Sequence, residues 1–136
     1  MLLASGFHHI VITVSDAKRS GEFYLRLLKP LGWKVFAEEK GAFAMTDGVA
    51  TFWLSEPRDY SIRGDKFDRN RIGLDHFAFS VDSMGKLKKI ETILKKNRIK
   101  MSKGGITDDG FGGTGIFLKD PDGMKAEFHL LGGWYK

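Results

Sequence analysis

The 136-residue chain has no cysteine and only three prolines. Without cysteine there are no disulfides, thiolate nucleophiles, zinc ribbons or Cys-held clusters, and only His, Asp and Glu remain to hold a metal. That composition is compatible with a reducing compartment. No apolar run approaches the ~18 residues of a membrane span. The opening Met1-Leu2-Leu3-Ala4-Ser5-Gly6 lacks a basic segment, and its apolar stretch is too short for an export signal. The expectation is a cytoplasmic protein with no membrane partner. Acidic residues are scarce in one place. Across 83–103, Lys86, Lys88, Lys89, Lys95, Lys96, Arg98, Lys100 and Lys103 face one acid, Glu91, within a net charge of +5. A basic face can attract acidic ligands or nucleic acid. No nucleic-acid recognition motif accompanies it, so the reading is a solvated helix face. What is present is ordinary for a globular domain: 42% hydrophobic and 29% charged residues.

The chain repeats one plan. Phe7 to Val14 is β-branched and aromatic, as a strand prefers. Asp16 then suits a helix N-cap, and Ser20, Phe23, Tyr24, Leu27 and Leu28 recur at helical spacing until Pro30 and Gly32. The pattern returns 67 residues later. Leu74 to Val81 predicts a strand, Ser83 a cap, and Leu87, Ile90 and Leu94 an amphipathic helix closed by Asn97. Further strands are predicted at Trp33 to Phe36, Phe43 to Met45 and Val49 to Leu54. Their counterparts are Ile99 to Met101, Ile116 to Lys119 and Met124 to Leu130. The expected fold class is α+β: two tandem βαβββ modules, 7–54 and 74–131, joined by a polar linker, 55–73, in a single domain over 1–136. A βαβββ unit covers one sheet face with its helix and leaves the other in need of a partner. The two modules are therefore expected to form a curved, partly closed mixed sheet around a cup.

Strand side chains alternate between faces. The aliphatic set Ile10, Ile12 and Val14 should face the helix, which turns His9, Val11 and Thr13 toward the cup. By the same logic His76, Ala78 and Ser80 face the cup, as do Glu127 and His129 of the last strand. A carboxylate facing two imidazoles is costly to bury unless it is paired or metal-bound. Two His and one carboxylate suit iron, zinc, manganese, nickel or cobalt.

Three segments carry a resemblance. His9 to Asp16 reads H-x4-V-x-D, and His76 to Asp82 reads H-x4-V-D. Asp120-Pro121-Asp122-Gly123 precedes Glu127 by three residues. This pattern resembles the vicinal oxygen chelate superfamily of glyoxalases, extradiol dioxygenases, fosfomycin-resistance proteins, epimerases and bleomycin-binding proteins. The resemblance implies metal ligands at His9, His76 and Glu127. The fourth ligand position of the glyoxalase pattern falls on Phe52 or Trp53, neither of which ligates a metal. A three-ligand site is closer to the dioxygenases and fosfomycin-resistance proteins.

The resemblance implies a divalent-metal enzyme of lyase, isomerase or dioxygenase type that chelates vicinal oxygens of a small organic substrate. A homodimer is expected, with the cup inside one chain or between two. The alternative is a metal-free protein of the bleomycin-resistance type that sequesters a small molecule. Association with nucleic acid through the Lys-rich helix is a third reading. His129 is a catalytic candidate as proton shuttle, an alternative ligand, a support for the ligands, or a rim residue. Thr13 and Ser80 are hydroxyl candidates for orienting a ligand, and either Phe52 or Trp53 supplies an aromatic wall. Phe111 sits in the glycine-rich stretch 104–115, which reads as a lid or a plain connection and not as a phosphate loop. Asp108 and Asp109 of that stretch are possible bases with no assigned position.

Overall fold

The computed structural model describes residues 6–59 and 64–134. The opening residues read for an export signal lie largely outside these, as does part of the linker. The elements are β1 (His9–Thr13), α1 (Ala17–Leu28), β2 (Lys34–Glu39), β3 (Ala42–Thr46), β4 (Thr51–Ser55), β5 (His76–Val81), α2 (Met84–Lys96), β6 (Thr107–Asp108), β7 (Thr114–Lys119) and β8 (Lys125–Leu130). They form two units divided between Gly64 and Asp65. Each unit has one helix and one four-stranded mixed sheet, in the orders β1-β4-β3-β2 and β5-β8-β7-β6. The tandem βαβββ plan is thus present, as two sheets not closed into a barrel. Among the described residues no helix is long and apolar enough to cross a membrane.

In the first unit, the Asp16 carboxylate accepts the Arg19 N–H at 2.9 Å and starts α1. A 3-10 turn over Lys29–Leu31 ends at Gly32, whose φ of 91° is the left-handed geometry glycine tolerates. Tyr24, Leu27 and Leu28 of α1 are buried with Ile12, Phe43, Met45, Phe52 and Leu54 of the sheet. Each such side chain contributes about 1.5–3 kcal/mol by leaving water. Alternation in β1 follows the expected pattern: Ile12 is buried and Val11 is exposed.

In the second unit, the Ser83 hydroxyl caps α2 by accepting the Lys86 N–H at 3.2 Å. Leu87, Ile90 and Leu94 are fully buried, along with Val81, Ile116, Leu118, Ala126 and Phe128. The Asp120 carboxylate accepts the N–H groups of Asp122 and Met124, both at 2.9 Å. With Gly123 at a φ of 85°, this turn feeds the chain into β8 and sets its register.

One strand differs from expectation. Ile99 to Met101 is not a strand; Met101 makes a single bridge to Leu118, and the edge strand is the two-residue β6. The segment between is rich in glycine, which weakens strands. A side chain organises it instead: the Glu91 carboxylate of α2 accepts the Ile106 N–H at 2.8 Å. That bond holds the Glu91 carboxyl below the usual carboxylate range, against burial and with help from Lys95.

Candidate functional site

The site residues of the second unit come from two adjacent strands. β5 and β8 run parallel, pairing His76 with Lys125, Ala78 with Glu127, and Ser80 with His129. These side chains therefore share one face of the sheet. His76 Nε2 lies 3.3 Å from Glu127 Oε1. Glu127 is only 5% exposed, so its charge is held by partners and not by water. Those partners are explicit: Lys125 Nζ is 3.0 Å from Oε1, and His129 Nε2 is 2.8 Å from Oε2.

Each imidazole has a carboxylate behind it. His76 Nδ1 lies 2.5 Å from Asp75 Oδ1, and Arg69 Nε donates to the other Asp75 oxygen at 3.3 Å. The His76 contact holds the Asp75 carboxyl below its usual value against partial desolvation, with Arg69 assisting. On the other side, His129 Nδ1 is 3.7 Å from Asp109 Oδ2. Asp109 accepts N–H groups from Phe111 at 2.7 Å, Gly113 at 2.9 Å and Trp134 Nε1 at 2.6 Å. Desolvation opposes its charge, but those donors outweigh it and hold the Asp109 carboxyl below the ordinary range.

The donor set suits a divalent metal in part. With a proton on His76 Nδ1 held by Asp75, the Nε2 lone pair would face Glu127 Oε1, an arrangement that a cation between them relieves. A carboxylate behind a histidine is also the usual support of a metal-binding imidazole. His129 addresses the opposite oxygen of Glu127, so the two imidazoles flank the carboxylate and do not converge beside it. Within either unit, among the described residues, no three His, Asp or Glu side chains are grouped so as to hold a metal. His76 and Glu127 can thus supply two ligands, and any third must come from outside this cluster. A cavity of about 320 Å³ opens over His76, Glu127, His129 and Trp134.

His9 belongs to the first unit. There β1 pairs parallel with β4, setting His9 beside Thr51 and Val11 beside Trp53. Since Ala78 stands beside Glu127 at the repeat-related place, Trp53 is the counterpart of Glu127. Trp53 joins His8, His9, Val11 and Phe36 around a groove of about 390 Å³, with the Phe36 ring 5.9 Å from its own. Phe52 points the other way and is buried against Tyr24 at 5.0 Å between ring centroids. Of the two aromatics considered as a wall, Phe52 is therefore core, because the strand's alternation leaves only Trp53 on the His9 face. His8 and His9 contact each other through Nδ1 at 2.9 Å. Thr13 and Ser80 are exposed on their strands.

Phe111 is 81% exposed, its ring 6.4 Å from that of Trp134. The glycine-rich stretch around it is a turn built on Asp109. From the sequence, Asp109 is only a possible base with no assigned position, and Asp75, Arg69 and Lys125 carry no role. The first had a readable signal, because Asp followed by closely spaced glycines favours side-chain-to-backbone turns. The others depend on neighbours that only the fold supplies.

The sequence and the fold are similar to those of known proteins. A domain from Frankia sp. EAN1pec, a glyoxylase/bleomycin resistance protein/dioxygenase domain, is 28% identical with a TM-score of 0.75. It covers 94% of this chain and 93% of its own. The protein YqjT of Bacillus subtilis is 26% identical over 122 residues, 88% of this chain and 94% of its own. A protein from Staphylococcus saprophyticus, metallothiol transferase FosB, is 27% identical over 128 residues, 93% of this chain and 78% of its own. A family model matches residues 6–128, nearly the whole chain, and the chain belongs to the Glyoxalase/Bleomycin resistance protein/Dioxygenase superfamily.

Proposed function

We propose that this protein is a divalent-metal-dependent enzyme acting on a small organic substrate that offers two adjacent oxygens. His76 and Glu127 are two of the ligands. The third is His9, the repeat-related histidine, from the same chain or from a second copy in a homodimer. The observation that carries the reading is the 3.3 Å approach of His76 Nε2 to Glu127 Oε1, with Asp75 behind the imidazole. The similarity to a metallothiol transferase supports a metal-dependent reaction.

When bound, the ion supplies Lewis-acid polarisation of the substrate oxygens, and iron would add oxygen activation. The chain's own residues do the rest. Asp75 fixes the ring of His76 and favours a proton on Nδ1. His129 holds a proton between its Nε2 and Glu127 Oε2, where it neutralises developing charge or passes the proton on. Trp53 of the first unit offers an aromatic wall for the substrate.

Metal analysis of protein purified without chelator tests the reading. About one divalent ion per chain is expected. His76→Ala and Glu127→Gln should abolish tight binding, and Asp75→Asn should weaken it about ten- to hundredfold. Protein that stays metal-free after soaking in zinc, manganese, cobalt, nickel and ferrous salts would contradict it. That result would favour metal-free sequestration of a small molecule. The contact of Lys125 Nζ with Glu127 supports this second reading, because it neutralises the carboxylate without an ion.

A further inference from the structure

The second unit carries another cavity, of about 520 Å³, that the metal reading leaves unused. Its walls hold five cations, Arg69, Lys100, Lys103, Lys119 and Lys125, with the Ser102 hydroxyl and the Phe117 ring and no carboxylate. Two of the ammonium groups gather around that ring: Lys103 Nζ is 4.6 Å and Lys125 Nζ 5.6 Å from its centre. Lys119 and Lys125 are direct cross-strand partners on β7 and β8. Like charges in that relation destabilise a sheet. Among the described residues, Lys125 is paired with Glu127 and Arg69 with Asp75, but Lys100, Lys103 and Lys119 have no carboxylate partner, so the cavity's positive charge is only partly cancelled within the unit.

The cavity also abuts the candidate metal ligands. Lys125 bonds Glu127, and Arg69 bonds Asp75, which holds His76. We propose that this cavity is an anion-binding site for a phosphate-type dianion. The volume exceeds what inorganic phosphate fills and falls in the range of small-ligand sites. A small phosphomonoester therefore fits, its charge among the lysines and its organic part against Phe117. The binding site stands on the second unit alone; its role as the anchor of the substrate rests on the metal reading above.

The test is calorimetric titration of the full chain, stripped of metal, with inorganic phosphate and with phenyl phosphate at fixed ionic strength. Both should bind saturably and compete. Tighter binding of phenyl phosphate would identify an esterified ligand, and equal binding the free ion. Lys103→Gln and Lys119→Gln should each weaken binding roughly tenfold. Lys88→Gln with Lys89→Gln, exposed on α2 outside the cavity, should leave it unchanged. Circular dichroism of each variant checks that it folds. Absent saturation would overturn the proposal. So would equal losses in the α2 pair, acetate binding as tightly as phosphate, or a DNA oligonucleotide outcompeting both probes. Phosphate binding to a chain that never takes up metal would sink the metal reading and leave this site standing.

Discussion

Among single residues, Asp109 illustrates how a charge can organise a turn. One of its oxygens takes the Phe111 and Gly113 N–H groups, and the other takes Trp134 Nε1. Its carboxyl is held below the ordinary aspartate value of 3.8, so the folded state favours the charged form. The stabilisation is complete above that value and disappears as pH falls through the lower folded value. Asp109→Asn removes the charge and one acceptor. Urea unfolding should therefore find the variant less stable at neutral pH, with the gap to the parent shrinking below about pH 4. A gap constant from neutral pH to acid would show that the Asp109 charge does not set it. The same residue stands behind His129, so the turn and the site share one carboxylate.

Elements set which of these residues meet. In α1 the buried Gly21 packs on β3, and a Cβ built there would run into the Phe43 ring. Helix propensity alone favours alanine by about 1 kcal/mol, whereas overpacking a core costs about 1–3 kcal/mol. Gly21→Ala should therefore destabilise the fold by up to about 2 kcal/mol in urea unfolding; a stabilised variant would mean that helix and sheet pack loosely. Strands and helices were legible wherever the apolar pattern was strong. The spacing of Leu87, Ile90 and Leu94 matches the buried face of α2, and both helix caps fall on the residues their chemistry favours. Period-two alternation sufficed to put His76 and Glu127 on one face, where they lie 3.3 Å apart. The edge strand β6 was not legible, because the geometry of 102–113 depends on Glu91 and Asp109 reaching back to backbone groups. Nor was the choice between Phe52 and Trp53, which needed the pairing register of β1 with β4. The cation cavity lay hidden for a related reason: its residues span 69–125 and share no periodicity.

For the whole molecule, duplication is the organising fact. The two units repeat one topology, and each places a histidine on its first strand beside its last. They then diverge. The second unit sets a buried carboxylate and its cations beside that strand, and the first sets Trp53 in the matching place. Two similar scaffolds thus offer different chemistry, one polar and one aromatic. The proposed chemistry depends on both repeat-related histidines serving one ion. X-ray absorption of zinc-loaded protein counts imidazole ligands directly. The spectrum should show two imidazoles and a carboxylate in the parent and one imidazole fewer in His9→Ala, whereas His76→Ala, which loses tight binding, should retain no stoichiometric zinc. A parent spectrum without imidazole scattering, or a His9→Ala spectrum identical to the parent, would contradict it.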